Sequence, residues 1–541
     1  MCSGLPVGQE KTTRMKTNFW RIFAAAVILA GVALGIRLAG ARQAYPASGD
    51  AGHFVQYGVA LAHGVPGALS TYWSQGMVVL AAGAVKMGWD PRYAMQATTV
   101  VAGVGMVLLF AGIVGLLTRS PALAFAGGLV VATNPTMVHY SITGYSEMSY
   151  MAFLLAGVCL GLSRRLNPLL RYALAGALIG AGGYFKGLDA AVAAFGFSLF
   201  VLLRAGKDWK KHWMFPAGIL AAAFLVLLPL CVFTYAQAGK FTPGSKGWAH
   251  FAGGPDWADS KQHYAAGGSK LYDRTWPEVA RALPRRAPRN VADAARIFNE
   301  QMFWKGFRIG TVWFSLGLIG IGILLWKKKR REALLPLCLL GFQVGLTCLA
   351  YVDRRNLVPS LPWVFLLVFL AWPEVWPAES SRARRWLSGL ILLVFISVNA
   401  RYAVHAFRSE FVWWRYANIE ACAKALKAHG GTDEDVVMNY GPHLAVEFNQ
   451  TNPLKWVEVP FGTIAQVEEV AQRHQVRFVV VSDAFRAHWP VARLFDKGVS
   501  APENWILREE LAFPADETTG RVAEKCRIYE RRSPAGPTEG T

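Results

Sequence analysis

The chain has 541 residues, of which 53% are hydrophobic and 17% charged, and its formal net charge at pH 7 is +21. Apolar runs of membrane-spanning length recur along most of it, so the composition excludes an ordinary soluble globular protein. The basic residues lie in short clusters between the apolar runs, which argues against a nucleic-acid-binding protein.

About eleven apolar runs predict transmembrane helices and therefore a polytopic α-helical membrane protein. The predicted spans are 19–40, 93–117, 120–137, 147–163, 170–184, 190–205, 213–237, 308–326, 333–350, 357–373 and 386–405. Basic clusters near residues 11–21, 164–171, 204–211, 327–331 and 382–385 all fall on one side of these spans. The positive-inside rule makes that side cytoplasmic, and the composition favours a bacterial inner membrane.

Three segments are predicted outside, namely 41–92, 238–306 and 409–541. The last is a separate C-terminal domain, and residues 1–408 form the transmembrane module. The outer loop 41–92 opens a helix at Ser48-Gly49-Asp50 and ends in a short interfacial helix. The outer loop 238–306 ends in an amphipathic stretch from Asn290 to Trp304 that we expect along the membrane surface. In the third segment, strand patterns at 435–440 and 477–482 flank a helix pattern at 461–474, which predicts a small extracytoplasmic α/β domain. Cys422 and Cys526 share it, and a disulfide between them stays open.

Ionisable residues at the outer ends of the spans are the candidates for chemistry, because a charge near hydrocarbon is costly. Asp50 is either a general base or the N-cap of its helix. Glu147 begins a span, where it can order the base, bind a divalent cation or stabilise its own helix. His53 and His139 are candidate ligands for the same metal, or hydrogen-bonded interfacial histidines.

Basic residues on this outer side oppose the topogenic charge bias and indicate an anionic ligand. Lys186 lies in the turn Gly182-Gly183-Tyr184-Phe185-Lys186-Gly187, and an ion pair with Asp189 is the alternative to an anionic ligand. Arg354 and Arg355 suit a phosphate, although a surface pair with Asp353 explains them equally well. No phosphate-binding loop is present, and no paired broken helices support the runner-up hypothesis, a lipid or solute transporter.

The motifs together resemble the GT-C glycosyltransferases, in particular the bacterial relatives of protein O-mannosyltransferases and lipid A aminoarabinose transferases. They are the outer Asp50, the turn from Tyr140-Ser141 to Glu147, Phe185-Lys186-Gly187, and Arg355…Pro359…Pro362, in this order over most of the chain. Two departures, Ala51-Gly52-His53 after Asp50 and Arg355-Asn356, keep an inactive scaffold with this fold as a further alternative.

The resemblance implies sugar transfer from a polyprenyl-phosphate carrier to a lipid, protein or polysaccharide acceptor at the outer face of the membrane. It also implies that Asp50 is the base, that Glu147 can help to hold a metal, and that Lys186 and Arg355 face the carrier phosphate. A phosphate leaving group, with a second pKa of about 6, needs little general-acid help. One carboxylate and several cations therefore suffice, and we expect direct displacement with inversion.

Overall fold

A computed structural model describes residues 7–42, 44, 46, 49–246, 276–300, 309–349, 352, 354–377, 381–409, 414–460, 463–483, 490–496, 498–515 and 523–532. Most of them form helices, and a small sheet follows at the C-terminal end. The helices are α1 (Val7–Ala41), α2 (Asp50–Ala62), α3 (Gln75–Lys86), α4 (Pro91–Thr118), α5 (Pro121–Thr133), α6 (Pro135–Ile142), α7 (Ser146–Leu162), α8 (Pro168–Ala181), α9 (Gly187–Ala205), α10 (Trp209–His212), α11 (Met214–Ala238), α12 (Trp276–Glu300), α13 (Ile309–Trp326), α14 (Arg330–Leu349), α15 (Arg354–Leu357), α16 (Leu361–Val375), α17 (Arg382–Ser409), α18 (Trp414–Ala428), α19 (His443–Phe448) and α20 (Ile464–Arg473).

Each predicted span overlaps one of these helices, and the span predicted at 120–137 runs across the break between α5 and α6. By length and composition, seven helical segments in the described part of the chain can cross a membrane, or eight if the bent pair α5–α6 counts as one span. The predicted interfacial helix of the first outer loop is α3. The amphipathic helix of the second loop begins at Trp276, earlier than the predicted Asn290, and residues 301–304 lie outside the described part.

Four of the helices begin at a polar residue followed by proline. The polar side chain accepts a hydrogen bond from a backbone N–H of the first turn, and the proline sits where no intrahelical N–H bond is lost. The pairs are Asp90-Pro91, Ser120-Pro121, Asn134-Pro135 and Asn167-Pro168. These local signals fix where α4, α5, α6 and α8 start.

The helix axis bends by 59° at the break between α5 and α6, and a buried arginine from α1 forms hydrogen bonds on both sides of this break. Arg37 is fully buried and donates to the Ala132 carbonyl near the end of α5, at 3.3 Å, and to Ser141 Oγ on α6, at 3.1 Å. A cation stabilises carbonyls left without partners at a helix C-terminus. Arg37 therefore joins α1 to both halves of the broken helix.

Helices α8 and α11 pack at backbone distance through two glycines one turn apart. A Cβ atom built on Gly176 would lie 2.2 Å from the Ile219 carbonyl oxygen, and one on Gly180 would lie 2.8 Å from that of Ala223. Small residues at this spacing let membrane helices approach closely.

The C-terminal sheet contains β1 (Val437–Asn439), β2 (Trp456–Glu458), β3 (Phe478–Ser482), β4 (Trp505–Phe513) and β5 (Glu524–Arg531), in the order β2-β1-β3-β5-β4. Strand β1 pairs in parallel with β2 and β3, whereas β5 runs antiparallel to β3 and β4. Strand β1, helix α20 and strand β3 confirm the predicted βαβ-like unit. Cys422 and Cys526 are buried in the same apolar cluster as free thiols.

We expect Gly176→Ala to destabilise the protein by about 1–3 kcal/mol, because the new methyl group must push α11 away. Gly105→Ala in α4 is the matched control, since a Cβ atom at Gly105 would meet no heavy atom within 4 Å. Thermal unfolding of the detergent-solubilised chain checks this. A Gly176→Ala protein as stable as Gly105→Ala would contradict the packing.

Candidate active site

A network of ion pairs joins two carboxylates to three cations. Arg355 Nη1 lies 2.8 Å from Asp50 Oδ2, and Arg355 Nη2 lies 3.1 Å from Glu147 Oε1. Lys246 Nζ lies 2.5 Å from Asp50 Oδ2, and Lys186 Nζ lies 3.5 Å from Glu147 Oε1. One arginine therefore bridges both acids, and each acid has a lysine of its own.

Asp50 is the first residue of α2 and not its N-cap, so the capping alternative is wrong. Gly49 occupies the cap position with φ 58° and makes no side-chain cap bond. The Asp50 carboxylate instead points to Arg355 and Lys246. The partial positive charge at the start of α2 further favours the ionised form.

Glu147 lies in the first turn of α7 and is completely buried, yet its Oε2 atom has no hydrogen-bond partner. Lys186 Nζ is likewise buried without a hydrogen-bond acceptor among the described residues. Its ion pair is with Glu147 and not with Asp189, the alternative partner that its position in the sequence offered. Buried ammonium groups are costly without acceptors, so Lys186 is suited to an anion that enters the site.

Lys246, in the second outer loop, was missed by the sequence predictions. It is held in place by a loop contact, since Ser245 N donates to the Thr71 carbonyl at 2.9 Å and the two hydroxyls lie 3.0 Å apart. Its ammonium lies 4.6 Å from the centre of the Trp73 ring, which adds a cation–π contact. A lysine in a segment predicted to lie outside opposes the charge bias, and this signal could have singled out Lys246 as it did Lys186.

A cavity of about 120 Å³ lies beside this network. Asp50, Lys186, Lys246 and Arg355 line it, together with Asp189 and aromatic side chains that include Tyr72, Trp73, Tyr184 and Phe185. The site thus presents two carboxylates, Asp50 and Asp189, three cations and an aromatic wall to whatever enters.

A buried hydrogen-bond chain fixes the wall of the cavity near Asp189. Trp363 Nε1 donates to Gln343 Oε1 at 3.0 Å, Gln343 Nε2 to the Tyr150 hydroxyl at 3.2 Å, and that hydroxyl to the Asp189 carbonyl at 3.0 Å. The chain links α16, α14, α7 and α9. Satisfied buried networks rigidify their surroundings, so the first turn of α9 beside Lys186 is held in place.

The other predicted site residues lie apart from the ion pairs. The His53 ring stacks on Trp73 at 4.1 Å, and its Nδ1 faces Gln56. His139 contacts Tyr140 on α6 and does not line the cavity. Arg354 begins α15, but its side chain lies outside the described part, as does Asp353.

The donor set at the carboxylates does not fit a divalent metal. No group of three His, Cys, Asp or Glu residues with metal-binding geometry occurs in the described ranges. Asp50 and Glu147 already contact three cations, which a metal ion would repel.

The electrostatics of the site make Asp50 a weak base in this state. Burial alone would raise the pKa of Asp50, but Arg355 and Lys246 outweigh burial and hold that pKa well below its usual range. Burial also lowers the pKa of Lys246, against the opposing attraction of Asp50. Asp50 is therefore ionised and strongly paired.

Glu147→Gln should destabilise the protein by about 3–5 kcal/mol, because Arg355 and Lys186 then lose a buried counter-charge. Glu469→Gln, which removes the exposed partner of Arg473 in the C-terminal domain, should change stability by less than about 1 kcal/mol. Thermal unfolding in the same detergent compares the two. Equal effects would show that Glu147 does not hold the cations.

No protein-family model and no curated protein matches this sequence. Among solved structures, it is similar to ArnT from Cupriavidus metallidurans bound to undecaprenyl phosphate, with a TM-score of 0.52 and 12% identity over 95% of this chain and 99% of that chain. A match to the arabinofuranosyltransferase AftD from Mycobacteria has a TM-score of 0.49 and 14% identity over 94% of this chain and 40% of that one. The likeness to ArnT shows the fold: the chain is a multi-pass membrane protein with the GT-C fold that its short motifs predicted.

Proposed function

We propose that this protein is a glycosyltransferase that moves a sugar from a polyprenyl-phosphate carrier to an acceptor at the outer face of the membrane. The observation that carries the proposal is the convergence of Asp50 with Lys186, Lys246 and Arg355 on one cavity. A carboxylate can accept the proton of an attacking acceptor, and cations can hold a phosphate. The ArnT structure, whose fold this chain shares, contains undecaprenyl phosphate.

The position of the cavity in the helical bundle supports an outer-face reaction. Helix α7 has Glu147 in its first turn at the site and ends at Leu162, just before the basic residues Arg164 and Arg165. Helix α9 likewise begins beside Lys186 and ends before Lys207. By the positive-inside rule the basic ends are cytoplasmic, so the opposite ends, where the site lies, face out.

The reaction is a single displacement at the anomeric carbon. The acceptor oxygen or nitrogen attacks that carbon from the side opposite the phosphate, and Asp50 accepts the acceptor proton. The bond from the anomeric carbon to the phosphate oxygen breaks, and its electron pair leaves with the polyprenyl phosphate. Lys186, Lys246 and Arg355 stabilise the charge that develops there, and the configuration inverts.

Donor binding also activates the base in this scheme. The donor phosphate competes with Asp50 for Lys246 and Arg355, because both anions use the same N–H donors. When those cations turn toward the phosphate, the proton affinity of Asp50 rises. The carboxylate thus becomes a competent base only after the donor has bound.

The two alternatives make different demands on the structure. A transporter of the inverted-repeat type needs two discontinuous helices related by symmetry, whereas one bent pair, α5–α6, occurs in the described part of the chain. An inactive scaffold would keep the fold and show no transfer from any donor.

Asp50→Asn should lower the transfer rate by about 10²–10⁴-fold, because it removes the base. Donor binding should persist in this variant, since Lys246 and Arg355 lose a competing anion. The test uses the reconstituted full chain, a panel of labelled polyprenyl-phosphate sugars and a native membrane extract as acceptor. Transfer that survives Asp50→Asn would overturn the base assignment, and no transfer by the unaltered protein would favour the scaffold.

Lys246→Met should move the acid limb of the kcat/KM profile to higher pH. Removal of Lys246 raises the pKa of Asp50 in the free enzyme, so protonation abolishes the base at a higher pH than in the unaltered protein. Lys240→Met, in the same outer loop but away from the cavity, should leave the profile unchanged. An acid limb that does not move, or moves to lower pH, would contradict the proposed pairing.

A further inference from the structure

The C-terminal domain rests directly on the helix that carries Asp50. Helix α19 of that domain packs against α2 in the outer loop. The contact is closest at Gly52, where a Cβ atom would lie 2.3 Å from Cε1 of the His443 ring. The absence of a side chain at Gly52 is thus what allows the two helices to approach.

Further contacts follow along the same face of α2. Gln56 is buried, and its Nε2 donates to the Pro453 carbonyl of the C-terminal domain at 2.8 Å. The His53 ring lies between Trp73, at 4.1 Å, and Trp456 of the C-terminal domain, at 5.5 Å. Burial lowers the pKa of His53 to about 4, so this ring is neutral at pH 7 and carries no charge into the contact.

An ion pair adds a polar edge to the contact. Arg92, in the first turn of α4, pairs with Glu447 on α19 and also with Asp90, at 2.7 Å. The C-terminal domain therefore reaches α2 through steric, hydrogen-bond and aromatic contacts, and α4 through this ion pair.

Helix α2 needs such support because it is short. It has 13 residues, and isolated helices of this length are marginal in water. Its orientation must therefore come from packing against α3, α4 and α19. Asp50 lies in its first turn, so a rotation or shift of α2 moves the carboxylate relative to Arg355.

We propose that the C-terminal domain positions the base: Gly52, His53 and Gln56 lock α2 to that domain and so hold Asp50 in its reactive place. This inference rests on the proposed role of Asp50. The three residues are positioning residues, because they contact the domain and do not line the cavity. Small misplacements of a catalytic group are known to cost up to about 100-fold in rate.

The first test is steric and has a built-in rescue. Gly52→Ala should lower kcat at least about 10-fold with the donor KM changed less than about twofold. His443→Ala removes the ring that the new methyl group meets, so the double variant should recover most of kcat. Gly58→Ala on the same helix would place a Cβ 2.3 Å from Ala81 of α3, and His443→Ala should not rescue it.

Three outcomes would overturn the inference. They are an unchanged kcat in Gly52→Ala, a loss that His443→Ala does not restore, and a raised donor KM at unchanged kcat. If Gly52→Ala does not fold, Gln56→Met is the substitute test, because methionine has a similar shape to glutamine but cannot donate a hydrogen bond to Pro453. This variant should lower kcat about 2- to 10-fold with the donor KM unchanged.

A second readout separates this inference from the proposed function. Hydrogen exchange of the α2 amides in the full chain should be faster in Gly52→Ala, return toward normal in the double variant, and stay normal in Asp50→Asn. This pattern without any sugar transfer would sustain the domain lock and reject the glycosyltransferase. Transfer by the unaltered protein, with unchanged exchange in Gly52→Ala, would reject the lock alone.

Discussion

The site depends on one interaction, the bridge that Arg355 makes between Asp50 and Glu147. Two carboxylates this close together, one buried and one partly buried, would repel each other and lose hydration, which is costly in a low-dielectric setting. A guanidinium with several donors can pair with both at once, and its central carbon lies 4.5 Å from the centre of the Tyr145 ring. The bridge joins the outer loop, the start of α7 and the segment before α16, which lie far apart in the sequence.

The fold brings these groups together because each lies where a helix starts at the same end of the bundle. Asp50 begins α2, Glu147 is the second residue of α7, Lys186 precedes α9 and Arg355 lies in α15 just before α16. The apolar bodies of the spans supply the rigid frame, with Trp363, Phe365 and Phe369 fully buried at its centre. The chemistry then requires only that the outer ends carry the charges.

Much of this could be predicted because membrane physics leaves visible traces in a sequence. Apolar length indicated the helices, and the cost of charges near hydrocarbon singled out Asp50, Glu147, Lys186 and Arg355. The pairing could not be read in the same way. Lys186 contacts Glu147 and not the nearby Asp189, and Asp50 follows its helix cap, because tertiary packing decides these contacts.

Two further features of the site depend on contacts between segments far apart in the sequence. Lys246 reaches the site next to the point where Ser245 contacts Thr71, which lies far away in the sequence. Gly52 reads as an ordinary helical glycine until the C-terminal domain is placed against it. Local patterns in a single sequence do not reveal which distant segments come together, so long-range contacts of this kind could not be predicted.

The most direct measurement is an experimental structure of the full chain in lipid nanodiscs with a bound polyprenyl phosphate. We predict phosphate density within hydrogen-bond distance of Lys186 and Arg355, with the Lys246 ammonium moved from Asp50 toward the phosphate. A phosphate bound elsewhere, with all three cations still on Asp50 and Glu147, would contradict it.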